Sequence, residues 1–233
     1  MVETLEKKPE QNFLTRWLLV CAIGYAIGGS SSVVVGETIG YYLGDQFGLV
    51  LNVPQELRQS ITNLCANFLL NVVSGGVINF FQWIGLRSFI SDSKWWILAG
   101  IIGTSVGTVI NSITISSIRF SVLDESQYFM LAGVSLLILL PVRGFIKGFL
   151  EWLILRREFP NSTRWIVARV ITNIITGLIT LFAIYLMPES GTSRLSRFFV
   201  DNLTGILEGV IFGVITGLTL RSFFDKKNVD FAT

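Results

Sequence analysis

Residues 81–87 read Phe-Gln-Trp-Ile-Gly-Leu-Arg, and they close a long apolar run immediately before a short polar loop. Two later apolar runs close in a similar way, at residues 151–156 (Glu-Trp-Leu-Ile-Leu-Arg) and at residues 216–221 (Thr-Gly-Leu-Thr-Leu-Arg). The three terminal arginines, Arg87, Arg156 and Arg221, are 69 and then 65 residues apart. This spacing predicts one structural unit, a pair of helices, that occurs three times along the chain.

The composition of the 233-residue chain favours a membrane protein. Hydrophobic residues make up 51% of it and charged residues 15%, whereas charged residues make up roughly 25% of an ordinary soluble domain. A soluble protein with this balance would have too little polar surface to cover its core. The net charge of +2 and the lack of a basic patch argue against nucleic acid as a partner.

Six apolar stretches are long enough for transmembrane helices, which need about 20 mainly apolar residues. They are Phe13–Leu43, Ser60–Leu86, Trp95–Ser117, Tyr128–Leu155, Arg164–Leu186 and Phe199–Phe223. We therefore predict an all-α polytopic membrane protein whose six helices form three repeated hairpins with approximate threefold symmetry. Loops are expected at 44–59, 87–94, 118–127, 156–163 and 187–198, and a kink at 28–32.

The repeat divides the chain into consecutive units. We predict a polar tail over residues 1–12, hairpins over 13–94, 95–163 and 164–224, and a second polar tail over 225–233. The first dozen residues have mixed charge and no cleavage site precedes the apolar run, so no signal peptide is expected.

Glycines recur at matching positions of the repeat. In each even-numbered stretch, a glycine stands seven residues before the position of Gln82, Glu151 or Thr216. Small residues four apart share one helix face, and in lipid the close packing that they allow drives helix association. The predicted helix-packing residues are Gly75, Gly144, Gly148, Gly205, Gly209 and Gly213.

Basic residues near the helix ends predict the orientation, because Lys and Arg are enriched on the cytoplasmic side. Eleven lie on the side of both termini: Lys7, Lys8, Arg16, Arg87, Lys94, Arg156, Arg157, Arg164, Arg221, Lys226 and Lys227. Four lie on the other side: Arg58, Arg119, Arg194 and Arg197. We therefore expect both termini in the cytoplasm. An aromatic belt at the cytoplasmic interface is expected from Trp17, Trp83, Trp95, Trp96, Trp152 and Trp165.

Charged residues within the apolar stretches are candidates for function, because charges are costly in a membrane. Arg143, Lys147 and Glu151 are spaced by four residues and share one face of the fourth helix. Glu208 follows Arg143 by 65 residues, the offset that also separates the second and third terminal arginines. We predict an intramembrane polar centre of these four residues, with an ion pair between Arg143 and Glu208. The pair could lock the bundle, or the centre could line a polar pathway or ligand site.

Three further features have open alternatives. Lys147, Glu151 and Arg169 lie nearer the predicted cytoplasmic end, where snorkelling to the interface is expected. The amides of Asn63, Asn67 and Asn71 form a stripe that is expected to bond neighbouring helices, with pore lining as the alternative. For Cys21 and Cys65, two buried thiols are favoured over a disulfide.

Known catalytic signatures are absent from the sequence, which has no Gly-x-Ser-x-Gly, no phosphate-binding loop and no metal-ligand cluster. Histidine is absent, which excludes histidine-ligated haem, zinc or chlorophyll and a histidine general base. We therefore expect no enzyme activity, no catalytic residue, no metal and no cofactor.

The Gln-Trp-x-x-Leu-Arg helix ending, followed after the loop by Trp-Trp-Ile-Leu-Ala-Gly and spaced glycines, resembles a set of small uncharacterised multi-pass membrane proteins. These occur mostly in oxygenic photosynthetic bacteria. The resemblance spans Trp17 to Arg221 and implies a bacterial inner membrane or a thylakoid membrane, but no activity or site residues. The third copy departs from the motif, with Thr216 and Gly217 in place of Gln or Glu and Trp.

Two functions are compatible with these features. The first is a non-catalytic scaffold or accessory subunit, suggested by the glycine-rich faces and short loops. The alternative is a small transporter or channel that uses the Arg143/Glu208 polar centre. The expected partners are the lipid bilayer and either another membrane protein or further copies of the chain.

Overall fold

The computed structural model describes residues 12–121, 125–186 and 194–230, and none of these residues is in a strand. The helices are α1 (Phe13–Val35), α2 (Tyr41–Val50), α3 (Gln55–Leu86), α4 (Trp95–Ser121), α5 (Glu125–Leu155), α6 (Arg164–Leu186) and α7 (Arg194–Asp230). All but α2 are long and apolar enough to span a membrane, which makes six spanning helices. Residues 1–11 of the predicted tail at 1–12, loop residues 122–124 and 187–193, and residues 231–233 of the second predicted tail lie outside the described residues.

The six spanning helices form a closed ring. Each of α1, α3, α4, α5, α6 and α7 packs against the next in chain order, and α7 packs against α1. Within the described chain, the backbone of each spanning helix packs only against its neighbours in this ring, although the side chains of Trp96 on α4 and Trp165 on α6 meet. The middle of the ring is therefore bordered by all six helices without a helix filling it.

The outer surface of the ring is apolar. On α1, Leu19, Ile23 and Ile27 are exposed at intervals of four residues, whereas Trp17 and Cys21 are fully buried on the inner side. Extensive exposed apolar surface of this kind marks contact with a membrane or a partner. Because exposed apolar side chains occur on every spanning helix, the surface is the one expected of a membrane-embedded protein.

The first hairpin differs from the sequence-based expectation. The predicted loop at 44–59 contains most of α2 and the start of α3, and α1 runs through residues 28–32 to a π-helical segment at Gly36–Gly40. Glycine disfavours isolated helices, but here the helices meet at glycines. A Cβ on Gly44 would clash with Thr62 of α3, and a Cβ on Gly48 with Arg58. The turn to α3 uses Asn52 at φ 50°, a conformation that asparagine tolerates.

The two loops at 87–94 and 156–163 bind each other. Arg157 pairs with Asp92 at 2.7 Å, and Glu158 accepts hydrogen bonds from the backbone N and the hydroxyl of Ser91 at 2.6 and 2.7 Å. At the same end of the ring, α7 continues to Asp230, beyond the predicted boundary at 224. The first and second hairpins of the prediction are thus connected at this end.

The predicted aromatic belt is wrong for half of the tryptophans. Trp17, Trp96 and Trp165 have no exposed surface, and the rings of Trp96 and Trp165 pack edge to face at 5.3 Å. The other three, Trp83, Trp95 and Trp152, keep part of their surface exposed. Both cysteines are free, as the sequence favoured over a disulfide between them. Cys21 is buried and Cys65 is partly buried.

Candidate functional site

The ring encloses a cavity of about 440 Å³, a size typical of ligand pockets, which span about 300–1,000 Å³. All six spanning helices contribute residues to its wall. Its charged lining residues are Arg143, Lys147, Arg169 and Glu208. Its hydroxyl and amide residues are Tyr25, Asn71, Ser74, Thr104, Thr172, Asn173, Thr176, Thr180 and Thr204.

A buried ion pair lies at one end of the cavity. Glu151 of α5 has no exposed surface and Arg169 of α6 is 5% exposed. Arg169 Nε lies 2.7 Å from Glu151 Oε2, and Arg169 Nη2 donates to Glu151 Oε1 at 2.7 Å. This two-point contact is the strong form of an arginine–carboxylate bond. The expectation that both side chains would snorkel is wrong, because each has its counter-charge on the adjacent helix.

The same ion pair connects three helices. Trp165 Nε1 on α6 donates to Glu151 Oε2 at 3.0 Å. On the other side, the Arg169 guanidinium carbon lies 4.5 Å from the ring centroid of Phe212 on α7. A cation over an aromatic face is attracted by the ring quadrupole, so Arg169 holds α5, α6 and α7 together.

Lys147 lies one helical turn from Glu151 and is also buried, with 9% of its surface exposed. It packs against α4, where a Cβ on Gly103 would lie 3.0 Å from Lys147 Cα. The side chain has no hydrogen bond or ion pair among the described residues. The snorkelling expected for Lys147 is therefore wrong as well, and its charge remains beside the cavity that it lines.

The predicted Arg143–Glu208 ion pair is wrong. The ion pairs of the described residues are Arg157–Asp92, Arg169–Glu151 and Arg221–Asp225. Arg143 is on α5 and Glu208 on α7, and α6 lies between these helices in the ring. Glu208 instead accepts a hydrogen bond from Thr180 of α6. Both charged residues nevertheless line the same cavity.

Three tryptophans close the ring between the cavity and the loops at 87–94 and 156–163. Their indole nitrogens each donate a hydrogen bond at 3.0 Å: Trp17 to Thr216, Trp96 to Gln82 and Trp165 to Glu151. We call these three bonded pairs the tryptophan layer. Below it, phenylalanine rings pack at centroid distances of 4.8–5.4 Å: Phe13, Phe89, Phe159 and Phe224. Aromatic side chains thus block this end of the cavity.

The predicted packing glycines lie where neighbouring helices approach each other. A Cβ on Gly144 would lie 2.8 Å from Val170 Cα of α6, and a Cβ on Gly209 would lie 2.7 Å from Ala22 Cα of α1. The remaining four face neighbours too: Gly75 faces α4, Gly148 faces α6, and Gly205 and Gly213 face α1. Such contacts bring backbones close together, which is how small residues stabilise helix pairs in lipid.

The asparagine stripe does not bond neighbouring helices through its side chains. The Asn71 amide donates to the backbone oxygen of Asn67 at 2.8 Å, and Asn63 accepts from Gln59 of the same helix at 3.3 Å. Asn71 lines the cavity, as the alternative of pore lining expects, whereas Asn67 is exposed on the outside.

One inner residue was not identified from the sequence. Asn79 is fully buried, donates to the Gly75 backbone oxygen at 2.7 Å, and fills the space beside Gly100 of α4. In the predicted repeat, its position, three residues before Gln82, corresponds to Gly148 and Gly213. A large polar residue at a position where the other predicted copies have glycine was the feature of the sequence that could have identified Asn79.

Searches of family models, curated proteins and solved structures found no match to this chain. In the described parts of the chain, no group of three or more Cys, Asp or Glu side chains is placed to hold a metal ion. The proposals below therefore rest on the geometry of the cavity.

Proposed function

We propose that this chain is a small membrane transporter that binds a polar solute in the cavity at the centre of its helix ring. The observation that carries the proposal is the cavity itself, which has charged and hydroxyl groups on its wall and contributions from all six spanning helices. Ionisable residues inside membrane helices typically mark substrate or ion pathways.

A purely structural role would not need this lining. Burying an ion pair is weak evidence of stabilisation, because apolar packing of the same volume is often as stable or more so. Lys147 and Arg143 do not even form ion pairs in the described structure. The position of these two cationic side chains on the cavity wall supports a role in binding.

The tryptophan layer favours a transporter over a permanently open channel. Fully buried Trp17, Trp96 and Trp165 block one end of the ring. A solute in the cavity could pass this end after the layer separates, as in alternating access. Separating the layer breaks two neutral hydrogen bonds, the bond from Trp165 to the Glu151 carboxylate and one aromatic contact, while the Arg169–Glu151 ion pair stays intact. This is a change on the scale of ordinary conformational transitions.

The repeat and the orientation belong to the same proposal. We infer three equivalent hairpins around an approximate threefold axis, supported by the matched positions of the tryptophan layer. The tryptophan end would face the cytoplasm, on the strength of the basic residues near it. The membrane would be a bacterial inner membrane or a thylakoid membrane.

Flux through the purified protein tests the proposed function. The chain is reconstituted in liposomes, and uptake of potassium, chloride, nitrate, phosphate, glycine and glucose is measured against protein-free liposomes. We expect saturable uptake of at least one of these solutes. A scaffold would move none of them and would instead copurify with a stoichiometric membrane-protein partner from mild detergent.

A matched pair of variants links the flux to the cavity. Gly29 lines the cavity and a Cβ there meets nothing within 4 Å, so Gly29→Phe places a ring in the open volume. Gly133→Phe is the control, because a Cβ there also meets nothing within 4 Å and Gly133 is not a lining residue. We expect Gly29→Phe to abolish uptake and Gly133→Phe to retain it. Equal uptake by both would remove the cavity from the pathway.

A further inference from the structure

The charges around the cavity do not balance. Three cationic side chains are present, Arg143, Lys147 and Arg169, against the two carboxylates Glu151 and Glu208. Arg169 and Glu151 neutralise each other at 2.7 Å. If Glu208 offsets one of the two remaining cations across the cavity, one positive charge is left within the membrane-spanning ring.

Lys147 is the place where this excess is concentrated. Only 9% of the surface of Lys147 is exposed. Its ammonium group has no hydrogen bond or ion pair with an oxygen atom of the described residues. An ammonium group has three N–H donors and no acceptor. A buried cation is unfavourable without a counter-charge. A bound ligand with a hydrogen-bond acceptor and a negative charge would stabilise this ammonium group.

The surroundings of Lys147 suit an anion and not a cation. Arg143 lies one turn along α5, with its side chain over Gly107 of α4, where a Cβ would come within 2.9 Å of Arg143 Cγ. The hydroxyl of Thr104 and the amide of Asn173 also belong to the wall. Two cationic groups on one helix face would repel a cationic solute. The Thr104 hydroxyl donates to the Gly100 backbone oxygen at 2.7 Å, and one N–H of the Asn173 amide donates to the Leu140 backbone oxygen at 2.8 Å. The second N–H of Asn173 can therefore donate to a bound anion.

We propose that the cavity binds a small monovalent anion beside Lys147, with Arg143 as the second cationic contact. The proposal rests on the proposed function and specifies its substrate class. One negative charge brings the sum of the five cavity charges to zero. This charge would be held by charge-assisted hydrogen bonds, which are stronger than neutral ones.

Anion-dependent thermal unfolding tests this site without a transport assay. The protein in mild detergent is kept in potassium gluconate, and gluconate is replaced by chloride, nitrate or acetate at constant ionic strength. Unfolding is followed through tryptophan fluorescence. We expect a saturable rise in Tm with at least one of the three anions and none with sodium in place of potassium.

Variants of the lysine identify the site. Lys147→Met should raise the apparent Kd of the anion by about tenfold or more, since a charged hydrogen bond is lost, while Lys147→Arg should retain binding. Lys94→Met is the matched control, because Lys94 is exposed in the 87–94 loop. Glu208→Gln should tighten anion binding, because it removes a negative charge from the wall.

The outcomes separate the two proposals. In gluconate, Lys147→Met should be at least as stable as the unaltered protein, since a lone buried charge is removed. A loss of stability there would show that Lys147 has an internal partner and would overturn the anion site. No response to any of the three anions, or weaker binding in Glu208→Gln, would also overturn it. Uptake of potassium or a neutral solute in liposomes would then leave the transporter standing.

Discussion

Helices α3 and α5 occupy corresponding places in the predicted repeat, yet their inner faces differ in charge. Each precedes a helix whose first turn holds a buried tryptophan, and each presents residues spaced by four to the inside. The corresponding residues are Ser74, Ile78 and Gln82 on α3, and Arg143, Lys147 and Glu151 on α5. One face is neutral and the other carries three charges, on two helices with the same role in the ring.

Both helices accept a hydrogen bond from a tryptophan of the tryptophan layer. Gln82 accepts from Trp96 and Glu151 accepts from Trp165, with the same distance of 3.0 Å and the same sequence separation of 14 residues. An indole N–H needs an acceptor when buried, and a neutral amide serves as well as a carboxylate. The charge of Glu151 is therefore not required for closing the ring.

The α3–α4 pair and the α5–α6 pair place their large and small side chains on opposite partners. Asn79 of α3 fills the space beside Gly100 of α4, whereas Gly148 of α5 makes room for Arg169 of α6. Both arrangements place one large polar residue opposite one glycine, so the interior stays filled while the charge differs. The comparison teaches that α5 and α6 carry charge beyond what packing demands, which is consistent with a binding role.

Replacing the carboxylate of α5 by the amide of α3 should have the largest effect. Glu151→Gln keeps an acceptor for Trp165 but leaves Arg169 buried without its counter-charge. Removing one partner of a buried pair costs about 3–5 kcal/mol. We expect a loss of this size in the free energy of unfolding, measured by denaturation in detergent. The double variant Glu151→Gln/Arg169→Leu should recover much of it, and additive losses would contradict the pair.

The corresponding change on α3 should cost less. Gln82→Met leaves the buried Trp96 indole N–H without an acceptor, and a buried unsatisfied donor costs about 1–3 kcal/mol. No charge is left unpaired in this case, because Gly100 stands where α6 has Arg169. The same denaturation experiment compares the two variants. Equal losses for Gln82→Met and Glu151→Gln would show that the ion pair adds nothing to the tryptophan contact.

The smallest difference is expected between the packing glycines of the two helices. A Cβ at Gly144 would lie 2.8 Å from Val170 Cα and 3.0 Å from the Arg169 backbone oxygen, so α6 must move. Overpacking destabilises a fold by roughly 1–3 kcal/mol. The higher helix propensity of alanine relative to glycine offsets up to about 1 kcal/mol of this loss. We expect Gly144→Ala to lose up to about 2 kcal/mol of unfolding free energy. Gly75→Ala should lose less, because the nearest atom that it meets belongs to the Thr104 side chain, whereas the nearest atom at Gly144 is backbone. The reverse order would contradict the packing argument.

Much of the helical framework could be predicted from local sequence. The predicted Arg164–Leu186 coincides with α6, and the predicted ends at Leu86 and Leu155 are those of α3 and α5. The prediction failed at α2, whose Gly44 and Gly48 resemble loop residues. These glycines are helical because α3 packs directly on them, and a contact with a distant segment is invisible in a local pattern.

The candidate site was predicted in part. The four residues of the polar centre were identified by their charge, and three of them line the cavity while Glu151 binds Arg169 at its end. The partners were wrong, because a repeat offset gives the depth of a residue but not its neighbour around the ring. Arg143 and Glu208 share a position in the predicted repeat, but they lie on helices that α6 separates.

By itself, the sequence determined that the chain has six apolar helices with tryptophans and glycines at recurring positions. Composition and periodicity act within one helix, so they can be read along the chain. Only the tertiary structure decided that the helices close into a ring around a cavity, that Trp17, Trp96 and Trp165 turn inward, and that Arg169 neutralises Glu151. These outcomes depend on which helices become neighbours, and a buried charge is stabilised by the counter-charge within reach in space, whatever its distance in sequence.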